Sequence, residues 1–428
     1  METNKSIKEY SYAIYGLGLS GESALKFLKK KKIKRIYTWD DKKKNFLKNL
    51  NSFKKALNKV DFIVISPGIN IQKTRFKSIL VKNKKKIITD LDLFYMQKLP
   101  VKSIMVTGTN GKSTTCKLIQ HVLRKNKIDA QLGGNFGKPV LDLKVKKNSV
   151  VIIEASSFQL SYLKFSKPSF AIILNITKDH LDWHGTIQKY QDAKYNIFSN
   201  QDHLDQALLG NKDNIKKFKS KFFKSELIKV NVNSIEKNIK KNITNKYLLS
   251  KPNLENVSFV YKLSTILKIK RNVILKALNT FKGLPHRNEL FFRKHGFIFI
   301  NDSKATSFGA TKYVLKNYKN IFWIVGGLPK LNDKIKLKNV KKNIVKAYII
   351  GKNINFFKKQ IEKILKYKSS YTIENALKEI MKDLLLLKKK KAVILLSPAS
   401  ASYDQFKNFI DRGNHFKKNT LKYARKFL

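Results

Sequence analysis

A short, nearly unbroken apolar run that ends in a small or polar residue recurs along this chain, usually handing over to a helical period. YAIYG (12–16) leads into GLSGESALKFL, and FIVISPG follows at 62–68. SIMVTG (103–108) leads into TNGKSTTCKLIQHVL, with VVIIEASS (150–157) and FAIILNIT (170–177) next. After a Lys- and Asn-rich middle come FIFINDS (297–303), FWIVGG (322–327), AYIIG (347–351) and AVILLSPAS (392–400). Continuous β-rich runs must be covered on both faces, and their alternation with helices calls for crossover connections. The pattern predicts an α/β fold of parallel sheets. In such sheets ligands bind beyond the carboxyl ends of strands. That is where the Gly, Ser, Asn, Asp and Thr residues of these runs fall.

At 428 residues the chain is too long for one core. Pro-marked seams are expected near 98–101 (in QKLPV) and 283–286 (GLPH). Residues 211–255 have weak periodicity and are expected to be irregular or edge structure. Hydrophobic residues make up 42%, enough for sizeable cores, so a disordered chain is excluded. No apolar run reaches 18 residues and the first residues show no h-region, so neither a transmembrane helix nor a secretory signal is expected. The single cysteine, Cys116, cannot form an internal disulfide, which agrees with a reducing, cytoplasmic setting.

Lys+Arg 90 less Asp+Glu 29 leaves a net charge of +61. Such a balance invites a nucleic-acid reading. Only 8 of the cations are Arg, however, and the 82 Lys are scattered, as in KKKKIKR (29–35), KNKKK (82–86) and KKKK (388–391). Readers of phosphates and base edges favour the bidentate fork of Arg. The charge is read as a solvated basic surface with no specific nucleic-acid partner, able to hold polyanions weakly and to steer anionic substrates inward.

Two glycine loops carry the chemistry. Gly16, Gly18 and Gly21 form G-L-G-L-S-G between a strand and a helix, and Asp40 follows 19 residues after Gly21. This is the pattern of a pyrophosphate-binding turn with an acid near the ribose. NAD, FAD and a UDP-sugar would all satisfy it. Residues 107–114 read T-G-T-N-G-K-S-T, again between strand and helix. Successive amide groups on a helix N-terminus cradle phosphates, Lys112 would neutralise β/γ oxygens, and Ser113 or Thr114 would offer Mg²⁺ a hydroxyl. Val106 stands where the generic ATP motif has its first Gly. Glu154 ends the strand VVIIE and fits a Mg²⁺ ligand if that strand neighbours the phosphate loop. His180 and His184, four apart, could share a helical face. The Glu of a zinc metalloprotease motif is missing there, so a single His acting on a hard metal or the substrate is the sharper reading. Four of the seven His (His180, His184, His286, His415) lie in motif-like segments.

GTNGKST, GGNFG (133–137), EASSFQL (154–160), ILNITKDHLDWHG (173–185), LPHRNE (284–289), NDSKAT (301–306), GGLPK (326–330) and SPASASYDQF (397–406) occur in the order found in the Mur ligases. The resemblance runs from about residue 12 to 416, and LPHR, NDSKAT and SPASASYDQF point to the D-glutamate-adding branch. It implies three α/β domains. These are an N-terminal Rossmann-like domain binding the UDP-sugar (1–98), a central P-loop ATPase-like domain with a parallel or mixed sheet (99–284), and a C-terminal Rossmann-like domain binding the amino acid (285–428). The implied reaction is ATP-driven amide formation between D-glutamate and UDP-N-acetylmuramoyl-L-alanine through an acyl phosphate, in cytoplasmic peptidoglycan precursor synthesis. Domain closure and a monomer are expected.

Residue by residue, the resemblance makes the first glycine loop a UDP-sugar site, with Leu19, Ser20, Asp40, Gly68 and Asn135 as contacts. Gly108, Thr109, Asn110, Gly111, Lys112, Ser113 and Thr114 would hold ATP, joined by Arg287, Asp302 and Lys304. Ser113 and Glu154 would hold one Mg²⁺. His180 would touch the substrate and help hold a second, with Lys194, in YQDAKYNIF, as a carbamylated lysine. Thr306, Lys330, Ser402, Tyr403 and Phe409 would bind D-glutamate. Ala155 and Phe136 depart from the family's usual residue sizes, which repacking would explain. The rival readings are a sister ligase adding another amino acid, a basic P-loop ATPase that binds nucleic acid, and a non-enzymatic nucleotide-binding module.

Overall fold

The computed structural model describes residues 6–43, 49–245, 247–330, 333–387 and 390–427. Met1–Lys5 at the chain's start and Lys388 and Lys389 of the last lysine run lie outside them. All nine apolar runs are strands, and they build three sheets. The first contains β1 (Tyr12–Tyr15), β2 (Ile36–Trp39), β3 (Phe62–Ile65) and β4 (Ile87–Ile88), all parallel in the order β2-β1-β3-β4. The second contains β5 (Lys102–Thr107), β6 (Ala130–Gly134), β7 (Val150–Glu154), β8 (Phe170–Ile173), β9 (Gln206–Leu209) and β10 (Glu226–Lys229). It too is parallel, in the order β10-β9-β8-β5-β7-β6. The third contains β11 (Glu289–Lys294), β12 (Phe297–Asn301), β13 (Ile321–Gly326), β14 (Ile344–Ile350), β15 (Tyr367–Tyr371) and β16 (Ala392–Leu396). Its order is β11-β12-β16-β13-β14-β15, with β11 antiparallel at the edge.

The chain divides into two compact units, Met1–Lys282 with the first two sheets and Gly283–Leu428 with the third. In each sheet successive residues of a central strand feed two different apolar clusters, as the two-residue period of a strand requires. In β5, Ile104 and Val106 pack on one face and Met105 on the other. Ala13 and Tyr15 oppose Tyr12 and Ile14 in β1, and Phe322 and Ile324 oppose Trp323 and Val325 in β13. Both faces being buried, no in/out alternation is visible in the sequence. Within the first unit the helix Asp90–Tyr95 joins the two sheets. Asp92 accepts from the backbone N–H groups of Lys164 and Phe165 at 2.8 Å, and Gln159 donates to Asp90 at 3.1 Å.

Residues 211–255 are more regular than the sequence suggests. They form the helices Lys212–Ser220 and Val232–Lys240, the edge strand β10 and the start of the helix Lys251–Ile266. The asparagines read there as irregular structure act in part as N-caps, Asn211 accepting from the N–H of Asp213 and Asn231 from that of Ser234.

The first glycine loop is shaped by close approach. Gly16 lies at φ +90°, and a Cβ at Gly21 would stand 1.8 Å from the Gly16 carbonyl oxygen. Gly21→Ala should therefore displace the loop and cost roughly 3 kcal/mol. Urea unfolding of the variant, alongside Gly18→Ala, where a Cβ meets nothing within 4 Å, checks this; equal stability would refute the packing argument.

Candidate active site

β5 lies between β7 and β8, so the phosphate loop leaves a central strand with a neighbour on each side. Val106 is buried inside β5, opposite Glu154 of β7 and Ile172 of β8. That position therefore belongs to the strand, and the loop's flexible positions are Gly108 (φ +156°) and Gly111 (φ +87°). Gly111 caps the helix Lys112–Lys125. The loop is pinned to the segment after β8. Thr109 N–H donates to the Asn175 carbonyl at 2.8 Å and Asn110 N–H to the Asn175 side chain at 2.9 Å. Ser113 and Thr114 begin the helix and are buried.

Two lysines meet on one oxygen of this loop. Lys112 Nζ donates to the carbonyls of Gly108 (2.8 Å) and Thr109 (3.0 Å), and Lys194 Nζ to the same Gly108 carbonyl (2.9 Å) and to Thr107 Oγ1 (3.3 Å). Lys194 reaches in from the helix Ile187–Tyr195, only 1% exposed and 4.7 Å above the Tyr190 ring. Burial, reinforced by Lys112, holds its pKa well below the ordinary lysine value.

Glu154 ends β7 beside the loop and is buried. Its Oε1 accepts from Asn135 Nδ2 at 3.0 Å, while its Oε2 has no hydrogen-bond partner among the described residues. His180 is a half-exposed residue in the left-handed region (φ +52°), preceding the short helical turn Leu181–His184 and packed edge-on against Phe158. His184 closes that turn and is buried, its Nε2 3.0 Å from Ser157 Oγ. Both imidazoles pack against the rings of Phe158 and Tyr190, so the spacing brings them to one side of the turn, His180 half-exposed and His184 buried.

The first glycine loop exposes Leu19 at its tip (81% exposed), next to Ser20 at the start of the helix Leu19–Lys30. Asp40 accepts from the N–H groups of Leu17 (2.6 Å) and Lys42 (2.8 Å), so its carboxylate is already braced against the loop. A Cβ on Gly68 would meet nothing within 4 Å.

In the second unit Asp302 follows β12 and is buried. It accepts from Ser397 Oγ (2.7 Å) and Asn288 N–H (3.0 Å), and burial pushes its carboxyl pKa up to about 7. Arg287 is half-buried nearby and lowers that value, as Ser397 does. Lys304 N–H donates to the His286 carbonyl, and its Nζ lies 4.0 Å from the centre of the Phe409 ring. Phe409 is half-buried, a cation–π partner of Lys304 outside the main apolar clusters. Thr306 is half-buried one turn ahead of the helix Phe308–Asn317. Leu328 and Ala401 exchange two backbone hydrogen bonds at 2.9 Å, which ties the loop of the exposed Lys330 to that of the buried Ser402 and the 70% exposed Tyr403. His286 is buried against Asn301, and His415 pairs with Glu374.

Known proteins with this arrangement are similar over nearly the whole chain. The family described as Mur ligase middle domain matches residues 106–274. A UDP-N-acetylmuramoylalanine–D-glutamate ligase of Rickettsia felis is 34% identical over 95% of this chain and 95% of its own, and one of Aquifex aeolicus 33% identical over 95% and 97%. The chain belongs to the Mur ligase family. Among solved structures, the UDP-N-acetylmuramate–alanine ligase MurC of Thermotoga maritima superposes with a TM-score of 0.57, at 15% identity, over 97% of this chain and 100% of its own. A MurF ligase of the same organism, in complex with ADP, gives 0.55 at 15% identity over 89% and 92%. These two show the three-domain Mur ligase fold.

Two buried residues of this Mur ligase escaped the sequence reading. Asn256, on the helix Lys251–Ile266, presses on the phosphate loop so closely that a Cβ on Gly111 would stand 2.1 Å from its Oδ1. Its only signal was one Asn in an Asn-rich stretch. Arg412 is fully buried and donates to the carbonyls of Ser303, Ser400 and Ala401 and to Ser303 Oγ, at 2.8–3.2 Å, joining the loops of Lys304 and Ser402. Its signal was being Arg at all in a chain with 82 Lys.

The donor set also bears on metal binding. No group of three or more His, Cys, Asp or Glu side chains clusters among the described residues, which argues against a caged zinc-type site. Mg²⁺ needs fewer protein ligands and keeps its waters. A buried, unpartnered carboxylate oxygen on Glu154, at the end of the strand beside the one that leads into the phosphate loop, fits that requirement.

Burial keeps His184 neutral, lowering its pKa to about 4 from 6.5. Between those pH values the unfolded chain binds the proton and the native chain does not. Stability is therefore full above about pH 6.5 and falls as the pH drops toward 4, by up to roughly 3 kcal/mol. His184→Phe should flatten that slope in urea unfolding at pH 7 and 4.5; an unchanged slope would assign it to other groups.

Proposed function

We propose that this Mur ligase joins the amine of D-glutamate to the L-alanyl carboxylate of UDP-N-acetylmuramoyl-L-alanine, at the expense of ATP, in the cytoplasm. The observation that carries this reading is the convergence of Lys112 and Lys194 on the Gly108 carbonyl beside Glu154, in a chain that is similar over 95% of its length to a D-glutamate ligase. In the forward reaction a carboxylate oxygen of the precursor attacks the γ-phosphorus of ATP, and ADP leaves. The D-glutamate nitrogen then attacks the acyl carbon, loses a proton and expels inorganic phosphate. Phosphoryl transfer of this kind needs positioning and charge neutralisation more than covalent help.

The chain's own groups supply both. The amide groups from Gly111 to Thr114, at the helix N-terminus, cradle the phosphates, while those of Thr109 and Asn110 hold the loop to Asn175. Lys112 is parked on two loop carbonyls and swings from them to the β/γ oxygens. Ser113 and Glu154 would hold Mg²⁺, with His180 and Lys194 at a second ion; the metal supplies neutralisation of developing phosphate charge. Lys194 is suited to carbamylation. Its depressed pKa leaves the amine a lone pair that can add to CO₂ with loss of one proton. The carbamate keeps one N–H for the Gly108 carbonyl and turns the repulsion from Lys112 into attraction.

The remaining candidates divide by chemistry. Leu19, Ser20, Asp40, Gly68, Asn135 and His180 would contact the UDP-precursor, the open space at Gly68 leaving room for it. Arg287, Asp302 and Lys304 would complete the ATP site. Thr306, Lys330, Ser402, Tyr403 and Phe409 would hold D-glutamate, whose two carboxylates suit cations and hydroxyls.

Phosphate release from ATP should require both the UDP-precursor and D-glutamate, with L-glutamate, L-alanine and diaminopimelate inactive. Release with another amino acid would move the specificity within the family; stimulation by nucleic acid in place of both substrates would overturn the ligase reading. Lys112→Ala should lower kcat by roughly 10³-fold or more with the fold intact. Lys194→Ala should lose activity without rescue by bicarbonate; wild-type turnover in that variant would remove the carbamate.

A further inference from the structure

On the side of the first unit where the strands begin, opposite the two glycine loops, a cleft of about 950 Å³ opens between the first two sheets. Ser103, at the start of β5, lines it, whereas the phosphate loop leaves the strand at Thr107, on the order of 13 Å along the strand. Its walls are Phe62, Phe94, Met96 and Phe165, and the exposed Leu99 stands at the rim. Four lysines line it, Lys85, Lys98, Lys164 and Lys167, and no carboxylate does.

Those lysines are not equivalent. Lys167 is paired with Asp202 and Asp205. Lys164 is half-buried and donates to the backbone carbonyls of Lys84 and Lys85, and among the described residues it forms no ion pair. Burial lowers its pKa, with Asp92 opposing and Lys84 adding to the effect. An ammonium held in place by carbonyls at the edge of an apolar cleft is an incomplete electrostatic arrangement, and an anion completes it. The hydroxyls of Tyr95 and Ser103, hydrogen-bonded to each other at 2.9 Å, give a second polar point. Size, apolar walls and a few convergent polar groups are the attributes of a small-molecule site between layers.

We propose that this rear cleft binds a soluble amphiphilic anion, an aromatic or acyl body carrying one carboxylate or phosphate group, with Lys164 as its charge partner. The helix Asp90–Tyr95 forms part of the floor through Phe94 and Tyr95, and its first residue, Asp90, is bonded to Gln159 near Ser20. The site therefore abuts the element that carries the UDP-precursor loop's neighbour without sharing a residue with that loop.

The probe is 8-anilinonaphthalene-1-sulfonate, an aromatic anion of suitable size, titrated into the full chain with saturating UDP-N-acetylmuramoyl-L-alanine. The expected result is saturable fluorescence at one probe per chain, displaced by dodecyl phosphate below its micelle concentration. Lys164→Met and Leu99→Trp should each weaken it tenfold or more, and Leu386→Trp, at an exposed site in the second unit, should not. Should Leu99→Trp lose its cooperative melt, Lys98→Glu replaces it. Unsaturable fluorescence, binding unchanged in both cleft variants, or competition by the UDP-precursor would overturn the proposal. Displacement only by phosphatidylglycerol vesicles would overturn the soluble ligand in favour of a lipid surface.

Discussion

The Gly108 carbonyl oxygen accepts from two ammonium groups, and much of the first unit is arranged so that it can. One is delivered by the helix that follows the phosphate loop, the other by the helix Ile187–Tyr195, from a lysine more than 80 residues later. The second helix docks through residues four apart, on one face. Tyr190 shares a 3.0 Å hydrogen bond with Thr109, and Lys194 lies over the Tyr190 ring. Burying an ammonium is costly and a second cation beside it adds to the cost; the depressed pKa of Lys194 expresses both, burial first and Lys112 second. Nucleotide phosphates or a carbamate, as proposed above, would supply this pocket with negative charge beyond that of Glu154.

What was legible in the sequence follows from what is buried. The nine apolar runs were readable as strands because central strands of a parallel sheet are covered on both faces. The strands that gave no clear signal, such as β10 and β15, lie at sheet edges and are partly exposed, so their composition matches that of the loops around them. The phosphate loop was readable because its glycines have a backbone reason that shows in sequence. The displaced first Gly was not explicable until Val106 was seen inside β5. Asn256 and Arg412 were illegible for a different reason: each acts through tertiary contacts from a distant helix, and no local pattern records that. The i, i+4 histidines were legible in part: the helical turn begins one residue after His180, yet both rings meet Phe158 and Tyr190, as the spacing allows.

The second unit meets the same problem with a different acceptor set. Arg412 is surrounded by carbonyls and a hydroxyl, and burial brings its pKa down to about 10, so it remains charged at neutral pH. A planar fork with five donors can satisfy four acceptors on two chain segments at once, which a lysine ammonium cannot do with fixed geometry. The loops carrying Lys304 and Ser402 are therefore held by a residue that touches neither side chain, and their spacing depends on the fork.

The composition itself can be weighed against the interior. Among the described residues Lys194 is the one fully buried lysine, in a chain that has 82. The buried acids are likewise satisfied largely without lysine. Asp92 accepts from three backbone N–H groups and a hydroxyl, and Asp302 from one backbone N–H and a hydroxyl. A charge-assisted bond to a backbone N–H needs no long side chain to be ordered, so it holds a carboxylate at lower entropic cost than an ion pair. A drift of surface positions toward Lys therefore leaves these anchors untouched, and the +61 charge is compatible with an interior whose polar groups are chosen one by one. Against that background a lysine in the interior is itself an observation: desolvating an ammonium is tolerated where its reactivity or its charge is used, and Lys194 lies against the one loop where both would be.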